Sequence, residues 1–395
     1  MGKPLTWLLN YDKKYLRPDI IAGLTVGALI VPQSMAYATL AGLPAVTGLY
    51  ASLIPIAAYA LFSSSRHLSV GPMAVVSLLV ASGVTAAGVS TDSPQYAYYA
   101  LLLALASGTI QVMLGLAKLG VLCNYVSNAV TSGFTSAAAI IIGLSQLGPI
   151  LGVQLGSSKN PLDLLHSAYE HIGAVNLPTA LMGLVSILLL LYCKKYHPKF
   201  PAAIFALFCS TFLTWQFGLE KMGIATVGQV PEGLPAFDVV NIDWQIIRIL
   251  TPAAIAIALV GFIGSIAVAQ TIALRQRYRV DPNQELVALG LANVAASFSS
   301  GFPVTGSLSR TAVNQDAGGK TPASSIVTAA FVAMSLLLFT PLFYYLPKSV
   351  LAAIIVVSSL GLVDLKLPER LFQLRAIDGW TLLLTFVVTL FIGPI

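Results

Sequence analysis

Apolar runs of about twenty residues follow one another along this whole sequence, separated by short polar stretches. A helix that rises about 1.5 Å per residue needs about 20 such residues to cross the hydrocarbon of a bilayer. Only 9% of the residues are charged and 57% are hydrophobic, whereas ordinary globular chains carry about 25% charged residues. We therefore exclude a water-soluble enzyme, a secreted module and a disordered scaffold. We predict an all-α polytopic membrane protein with about thirteen spans, at residues 20–40, 48–62, 71–89, 96–116, 126–151, 178–192, 201–217, 250–272, 286–298, 306–314, 323–345, 350–363 and 380–392.

The basic residues test this assignment of spans. With a cytoplasmic N-terminus and alternating spans, sixteen of the 21 basic residues fall on the cytoplasmic side, as the positive-inside rule requires. We therefore predict a multi-pass protein of the cell inner (plasma) membrane with its N-terminus in the cytoplasm, and no nucleic-acid partner. The four basic residues predicted on the other side are Lys159, Lys221, Arg248 and Lys348.

The pattern of spans repeats after seven. Because seven is odd, the second copy enters the membrane from the opposite side, which defines an inverted repeat. We predict a cytoplasmic leader at 1–19, a first repeat with spans 1–7 at 20–218, an extracellular linker at 219–249, and a second repeat with spans 8–13 at 250–395. The second copy lacks a closing helix, so we expect the fourteenth span to be missing. Amphipathic segments at 160–172 and 367–374 indicate interfacial helices.

The third member of each copy is interrupted. Residues 68–74 and residues 302–308 each place a short β-prone run before a glycine and then begin a helix. Irregular backbone is tolerated inside a bilayer only where protein or water satisfies it. The sequence therefore predicts two half-helices, in spans 3 and 10, whose N-termini face each other near the middle of the membrane.

Arg310 lies inside the second of these interrupted segments. A charge at that depth costs at least about 2.5 to 3.5 kcal/mol and indicates a functional site. All 15 acidic residues lie in predicted loops or close to span ends, so we expect Arg310 and the two helix N-termini to attract a soluble anion. The alternative that stays open is that Arg310 reaches the aqueous boundary, braces carbonyl groups, or pairs with Asp316.

The first span offers hydrogen-bonding groups. Gln33 and Tyr37 are one turn apart on one face, next to the helix-breaking Pro32, and either a substrate contact or an interhelical contact explains them. Gly23 and Gly27 indicate close helix packing. Three cysteines without metal-ligand spacing indicate neither a disulfide framework nor a metal site, and we expect no cofactor.

Four motifs resemble the sulfate permease (SulP) family of anion transporters, which includes prestin and pendrin. They are VPQSMAYATLAGLPAVTGLY at 31–50, SRHLSVGP at 65–72, SGFTSAA at 132–138 and GFPVTGSLSRTAVN at 301–314. The resemblance implies a seven-plus-seven inverted-repeat fold shared with nucleobase transporters. Spans 1–4 and 8–11 would form a core and spans 5–7 and 12–13 a gate. It also implies an anion site at Gln33, Tyr37, Met73, Ala74, Leu308, Ser309 and Arg310.

The sequence departs from the family at three places. Ala45 stands where the family usually has a proline, and Gly264 stands where many coupled members carry an acid. We also expect the family's cytoplasmic STAS domain to be absent after Ile395. We count Gly264 among the candidate substrate-binding positions, because it occupies that place on span 8. A proton or sodium co-substrate, the choice of anion, and a homodimer of the full-length protein all stay open.

These observations predict a secondary transporter of sulfate, bicarbonate, chloride or dicarboxylate that works by alternating access. A passive anion channel is the alternative, because a positive site without coupling acids also suits passive flow. A nucleobase transporter of the same fold would need carboxylates in spans 8 and 10, which this sequence lacks. We do not expect an enzyme, since the serines near Arg310 have no basic partner.

Overall fold

The computed structural model describes residues 6–9, 11–124, 127–153, 155, 161–197, 200–229, 233–235, 237, 241–363, 366–374 and 376–392. Residues 393–395, to which the prediction of a missing last span refers, lie outside the described residues. So do residues 230–232, 236 and 238–240 of the predicted linker.

Helices make up most of the described chain, and each predicted span falls on one of them or on a consecutive pair. The helices of the first half are α1 (Thr6–Leu9), α2 (Leu16–Leu40), α3 (Ala45–Tyr50), α4 (Ile54–Phe62), α5 (Ala74–Ala86), α6 (Tyr96–Leu116), α7 (Asn128–Ser145), α8 (Leu147–Leu151), α9 (Pro161–Glu170), α10 (Leu177–Tyr196) and α11 (Ala202–Phe217). Those of the second half are α12 (Trp244–Arg275), α13 (Pro282–Phe298), α14 (Leu308–Asp316), α15 (Ala323–Phe343), α16 (Lys348–Ser359), α17 (Lys366–Leu374) and α18 (Ala376–Ile392). The strands are β1 (Val70–Gly71) and β2 (Thr305–Gly306). Within the described residues, eight helical segments are long and apolar enough to cross a membrane.

The chain divides into two compact units. The first unit comprises residues 1–126 and 232–338, and the second comprises residues 127–231 and 339–395. All of the predicted anion-site residues belong to the first unit. The predicted interfacial segments correspond to α9 and α17.

The two predicted β-prone runs pair with each other. β1 and β2 form an antiparallel pair in which Val70 stands opposite Gly306 and Gly71 opposite Thr305. The Ser307 amide extends the pairing by donating to the Ser69 carbonyl over 3.0 Å. Because α5 begins three residues after β1 and α14 begins two residues after β2, this pairing brings the N-termini of the two short helices into one neighbourhood.

Small residues allow α2 to approach α15 closely. A Cβ atom on Gly23 would stand 2.5 Å from the Ser324 carbonyl oxygen, and one on Gly27 would stand 2.7 Å from the Phe331 ring. Neither position has room for a side chain. The prediction that these glycines serve packing is therefore confirmed.

Two carboxylates at helix starts are buried. The sequence predicted that they lie close to span ends, but it did not predict their burial. Asp19, in the first turn of α2, is 1% exposed, and Glu285, in the first turn of α13, is 0% exposed. His67, which we predicted at a span edge, is also buried. The loops between the helices fold over these side chains, which hydropathy alone does not reveal.

Candidate functional site

Arg310 projects from the first turn of α14 into the interior of the first unit. It is 1% exposed, and its Nη1 atom donates to the Pro72 carbonyl over 2.9 Å and to Gln33 Oε1 over 3.4 Å. Its Nε and Nη2 atoms are buried and have no hydrogen-bond partner. Two donors of a buried cation are therefore available to a ligand.

No carboxylate within the described part of the chain forms an ion pair with Arg310. The ion pairs found there join Lys14 to Asp12 and His166 to Glu170, while Asp316 is exposed at the end of α14. The alternatives that Arg310 reaches the surface or pairs with Asp316 are therefore wrong. The alternative that Arg310 braces carbonyl groups holds for Nη1, which bonds to the Pro72 carbonyl. It does not explain Nε and Nη2, which have no partner.

The helix starts on either side of this guanidinium add positive potential. The residues preceding α5 and α14 are Met73 and Ser307, and neither side chain makes a capping hydrogen bond. The first N–H groups of a helix have no partner within the helix, and the helix dipole places about half a positive charge at that end. The two uncapped N-termini thus favour an anion at the same place as Arg310.

Glycine at position 71 makes room for the arginine. A Cβ atom there would lie 2.8 Å from Ile30 Cδ1 and 3.4 Å from Arg310 Nη2. The end of the Ile30 side chain would have to move, whereas the guanidinium would be at van der Waals distance from that Cβ atom. Gly71 therefore leaves space beside both Ile30 and Arg310.

The first span brings two polar side chains close to Arg310. Gln33 contacts Arg310 from α2, and Tyr37, one turn further along, is buried and close enough to interact electrostatically with the guanidinium. Pro32 lies inside α2 beside them. The structure thus brings Gln33 and Tyr37 together with Arg310.

The other predicted site residues divide by exposure. Met73 and Ala74 follow Pro72 directly at the start of α5, and Ala74 is buried. Leu308 is 59% exposed, and Ser309 is exposed with its hydroxyl 3.2 Å from that of Ser307. These are the residues at which the two short helices begin.

Gly264 stands apart from these contacts. It is an exposed residue of α12, and no atom lies within 4 Å of the place where its Cβ would stand. The residues of α12 that contact β2 are instead Gly261 and Ser265. The carbonyl of Gly261 accepts a 2.7 Å bond from Thr305 Oγ1, and Ser265 Oγ accepts a 2.8 Å bond from the Gly306 amide.

A buried polar network behind β2 was not predicted. Asn293 Oδ1 accepts from the Val304 amide over 2.6 Å, and its amide nitrogen donates to Gln111 Oε1 over 2.8 Å. Ser265 Oγ and Thr305 Oγ1 lie 2.8 Å apart. These bonds fix β2, and through it the start of α14. The available signal was the presence of two amide side chains inside otherwise apolar spans.

The described residues include no group of three His, Cys, Asp or Glu side chains that could hold a metal ion. Cys193 and Cys209 are free thiols, and the side chain of Cys123 lies outside the described residues. The site is therefore built from a guanidinium, helix N-termini and uncharged polar groups.

Comparison with known sequences decides the family. The Sulfate permease family, as a sequence model, matches residues 16–385. This chain is a member of the sulfate permease family. Over 98% of its length it is 37% identical to the chloroplastic sulfate transporter 4.1 of Arabidopsis thaliana, of which it covers 57%. Over 97% of its length it is 36% identical to the sodium-independent sulfate anion transporter of Bos taurus, of which it covers 68%.

The chain thus spans less than two thirds of the length of the Arabidopsis relative, as the figure of 57% shows. These relatives are named as transporters, in agreement with our expectation that the chain is not an enzyme.

Solved structures of two transport proteins share the fold. The murine Slc26a9 anion transporter in its inward-facing state matches with a TM-score of 0.90 at 27% identity, over 98% of this chain and 67% of that one. The transmembrane domain of the cyanobacterial bicarbonate transporter BicA matches with a TM-score of 0.85 at 23% identity, over 96% of this chain and 97% of that one. These matches confirm the predicted all-α inverted-repeat transporter fold.

Proposed function

We propose that this chain forms the membrane part of a transporter of small anions. The main support is that Arg310 is a buried cation with two nitrogens that have no hydrogen-bond partner. It forms no ion pair with a carboxylate of the described residues. A buried charge without a partner costs several kcal/mol, and an anion between the starts of α5 and α14 would offset that cost. Relatives named for sulfate and bicarbonate transport support this choice of substrate class.

The substrate class includes sulfate, bicarbonate, chloride and dicarboxylates. Sulfate suits the site because its oxygens accept hydrogen bonds from Arg310 Nε and Nη2 and from helix N–H groups at the same time. Gln33 and Tyr37 supply further polar contacts from α2. The uncharged amide and phenol add hydrogen bonds without introducing a negative charge that would repel the anion.

We propose alternating access as the mechanism. The first compact unit contains the helices of spans 1–4 and 8–10 with most of span 11, and the second contains those of spans 5–7, 12 and 13. This division supports the assignment of a core to the first unit and a gate to the second. The membrane is the cell inner (plasma) membrane, with the N-terminus in the cytoplasm.

Uptake of radiolabelled sulfate into proteoliposomes tests the site. Replacing Arg310 by glutamine removes a charge-assisted contact worth about 1.5 to 3 kcal/mol, so we expect uptake at subsaturating sulfate to fall by about tenfold or more. The matched control is Arg248→Gln, which neutralises an exposed arginine of α12. Equal uptake by Arg310→Gln and Arg248→Gln, with both proteins monodisperse, would remove Arg310 from the binding site.

The same vesicles separate the alternatives. A transporter saturates with sulfate and exchanges anions across the membrane, whereas a passive channel gives a single-channel current in a planar bilayer. In a binding assay, competition by uracil but not by sulfate or fumarate would favour a nucleobase transporter.

Two buried carboxylates of the first unit bear on coupling. Asp19 and Glu285 each accept hydrogen bonds from four donors. We propose that these bonds serve the fold and that neither carboxylate couples transport to a proton gradient. Uptake with and without an imposed proton gradient, in wild type and in Asp19→Asn, checks this step, and a gradient response that only wild type shows would contradict it.

A further inference from the structure

A cavity lies at one end of the helices of the first unit, where α2 and α13 begin and α4, α12 and α14 end. Its volume is about 830 Å³, which falls in the range of small-molecule sites. The residues around it come from the N-terminal segment and from the loops at 63–67, 276–281 and 320–322. None of the residues of the proposed anion site lines it.

Three cations line this cavity without a carboxylate partner. They are Arg66, Arg279 and Lys320, and no ion pair with a carboxylate of the described residues holds any of them. The Arg66 guanidinium lies over the Tyr278 ring, 5.2 Å from its centroid. That stacking leaves the edge of the guanidinium, with its N–H donors, available to a ligand.

The two carboxylates on the cavity wall are engaged elsewhere. Asp12 binds Lys14 Nζ over 2.7 Å and the Lys14 amide over 3.0 Å. Asp281 caps the start of α13 by accepting from the amides of Asn283 and Gln284 over 2.9 and 3.3 Å. Three cationic side chains and two carboxylates thus line the cavity, so the formal charge of its lining is positive.

Buried hydrogen bonds fix the wall of the cavity. His67 is 4% exposed, its Nδ1 lies 3.1 Å from the Tyr278 hydroxyl, and its carbonyl accepts from Asn314 over 2.9 Å. Burial lowers the pKa of His67 to about 4, so its ring is neutral at physiological pH and braces Tyr278 without adding charge. Ser64, on the same wall, donates to Glu285 Oε1 over 2.7 Å. The cavity is thus preformed.

A phosphate monoester matches this combination. It carries a charge of about −1.5 to −2 at neutral pH and three strong acceptor oxygens, and two arginines and a lysine supply the complementary donors. The aromatic side chains of Trp7, Tyr11 and Tyr278 on the wall suit the organic part of an ester. We propose that this cavity binds a phosphate monoester, supplied by an anionic lipid headgroup or by a soluble metabolite.

This proposal is independent of the transport site, and two ligands distinguish its sources. Glycerol 3-phosphate is titrated into the detergent-purified chain by calorimetry, and phosphatidic acid is presented in phosphatidylcholine nanodiscs, with retained lipid counted by native mass spectrometry. Binding of glycerol 3-phosphate indicates a soluble ester, retention of phosphatidic acid alone indicates a lipid, and binding of both indicates that the cavity is open to water and membrane.

Variants locate the binding. We expect the double variant Arg66→Gln/Arg279→Gln to weaken binding by at least about tenfold, since each lost cation removes a charge-assisted hydrogen bond. The matched control, Arg275→Gln/Arg277→Gln, makes the same change of charge at exposed residues that do not line the cavity, and it should bind as wild type does. If the double variant fails to fold, the affinity of Lys320→Gln is measured instead, and it should also be weaker than that of wild type.

Three results would overturn the proposal. The first is that neither glycerol 3-phosphate nor phosphatidic acid binds the wild-type chain. The second is that the cavity variants and their control lose the same affinity, which would indicate nonspecific charge attraction. The third is that Arg310→Gln abolishes binding while the cavity variants do not, which would assign the phosphate to the transport site.

Discussion

Glu285 and Arg310 are both buried charges of the first unit, yet their hydrogen-bonding surroundings are opposite. The carboxylate of Glu285 accepts from the Tyr59 hydroxyl over 2.5 Å, the Ser64 amide and hydroxyl over 2.7 Å each, and the Ser65 amide over 2.8 Å. The guanidinium of Arg310 leaves two of its three nitrogens without a partner. One charge is satisfied by the protein itself, and the other is not.

This difference separates a structural charge from a binding one. Buried polar groups are nearly always hydrogen-bonded, and an unsatisfied one needs an explanation. Glu285 ties the loop after α4 to the start of α13, and its burial serves the fold. Asp19 does the same for the start of α15, where its carboxylate accepts from the Lys320 and Thr321 amides. Arg310 has no such structural role for its free nitrogens, which is why we assign them to a ligand.

The largest effect on stability is expected at Glu285. Glu285→Ala leaves the Ser64 and Ser65 amides and the Tyr59 hydroxyl without their acceptor, and each orphaned donor costs about 1 to 3 kcal/mol. We expect the free energy of unfolding to fall by at least about 3 kcal/mol, measured as a lower thermal midpoint in detergent. Glu285→Gln retains one carbonyl acceptor and should lose less. A midpoint for Glu285→Ala equal to that of wild type would show that the clamp contributes nothing.

The sequence predicted the features of the site that depend only on position along the chain. The helical spans followed from hydropathy, the interruptions at 68–74 and 302–308 followed from their glycines and prolines, and the depth of Arg310 followed from both. Gln33 was predicted to contact either a substrate or another helix. Its hydrogen bond with Arg310 is a contact between helices, and its role in binding a substrate stays a prediction.

What the sequence did not predict depends on side chains that meet across the fold. Asp19 and Glu285 lie at helix starts, where a carboxylate is ordinarily solvated, and only the loops that cover them make them buried. The network of Gln111, Asn293, Ser265 and Thr305 joins three helices and a strand that are far apart in the chain. Position in a span shows that a polar residue is at depth, but not which backbone group it satisfies.

A smaller effect on stability is expected at Ser265, whose hydroxyl binds β2 just before the helix that carries Arg310. Ser265→Ala leaves the Gly306 amide without its 2.8 Å acceptor, so we expect a loss of about 1 to 3 kcal/mol together with weaker sulfate uptake, because β2 positions the start of α14. The matched control is Ser107→Ala, since the buried Ser107 hydroxyl bonds only to the carbonyl of Ala104 in its own helix. If both variants behave alike in stability and uptake, the network does not position α14.

The smallest effect on stability is expected at Arg310 itself. Arg310→Met loses the bond from Nη1 to the Pro72 carbonyl, worth about 1 kcal/mol, but it also removes two buried N–H groups that have no partner. These contributions oppose each other. We therefore expect the free energy of unfolding, followed by the thermal midpoint, to stay within about 1 kcal/mol of wild type, while sulfate uptake is lost. Arg310→Lys is the control that keeps the charge but loses the fork of donors. A destabilisation as large as that of Glu285→Ala would place Arg310 with the structural charges, and loss of uptake would then no longer indicate that it binds the anion.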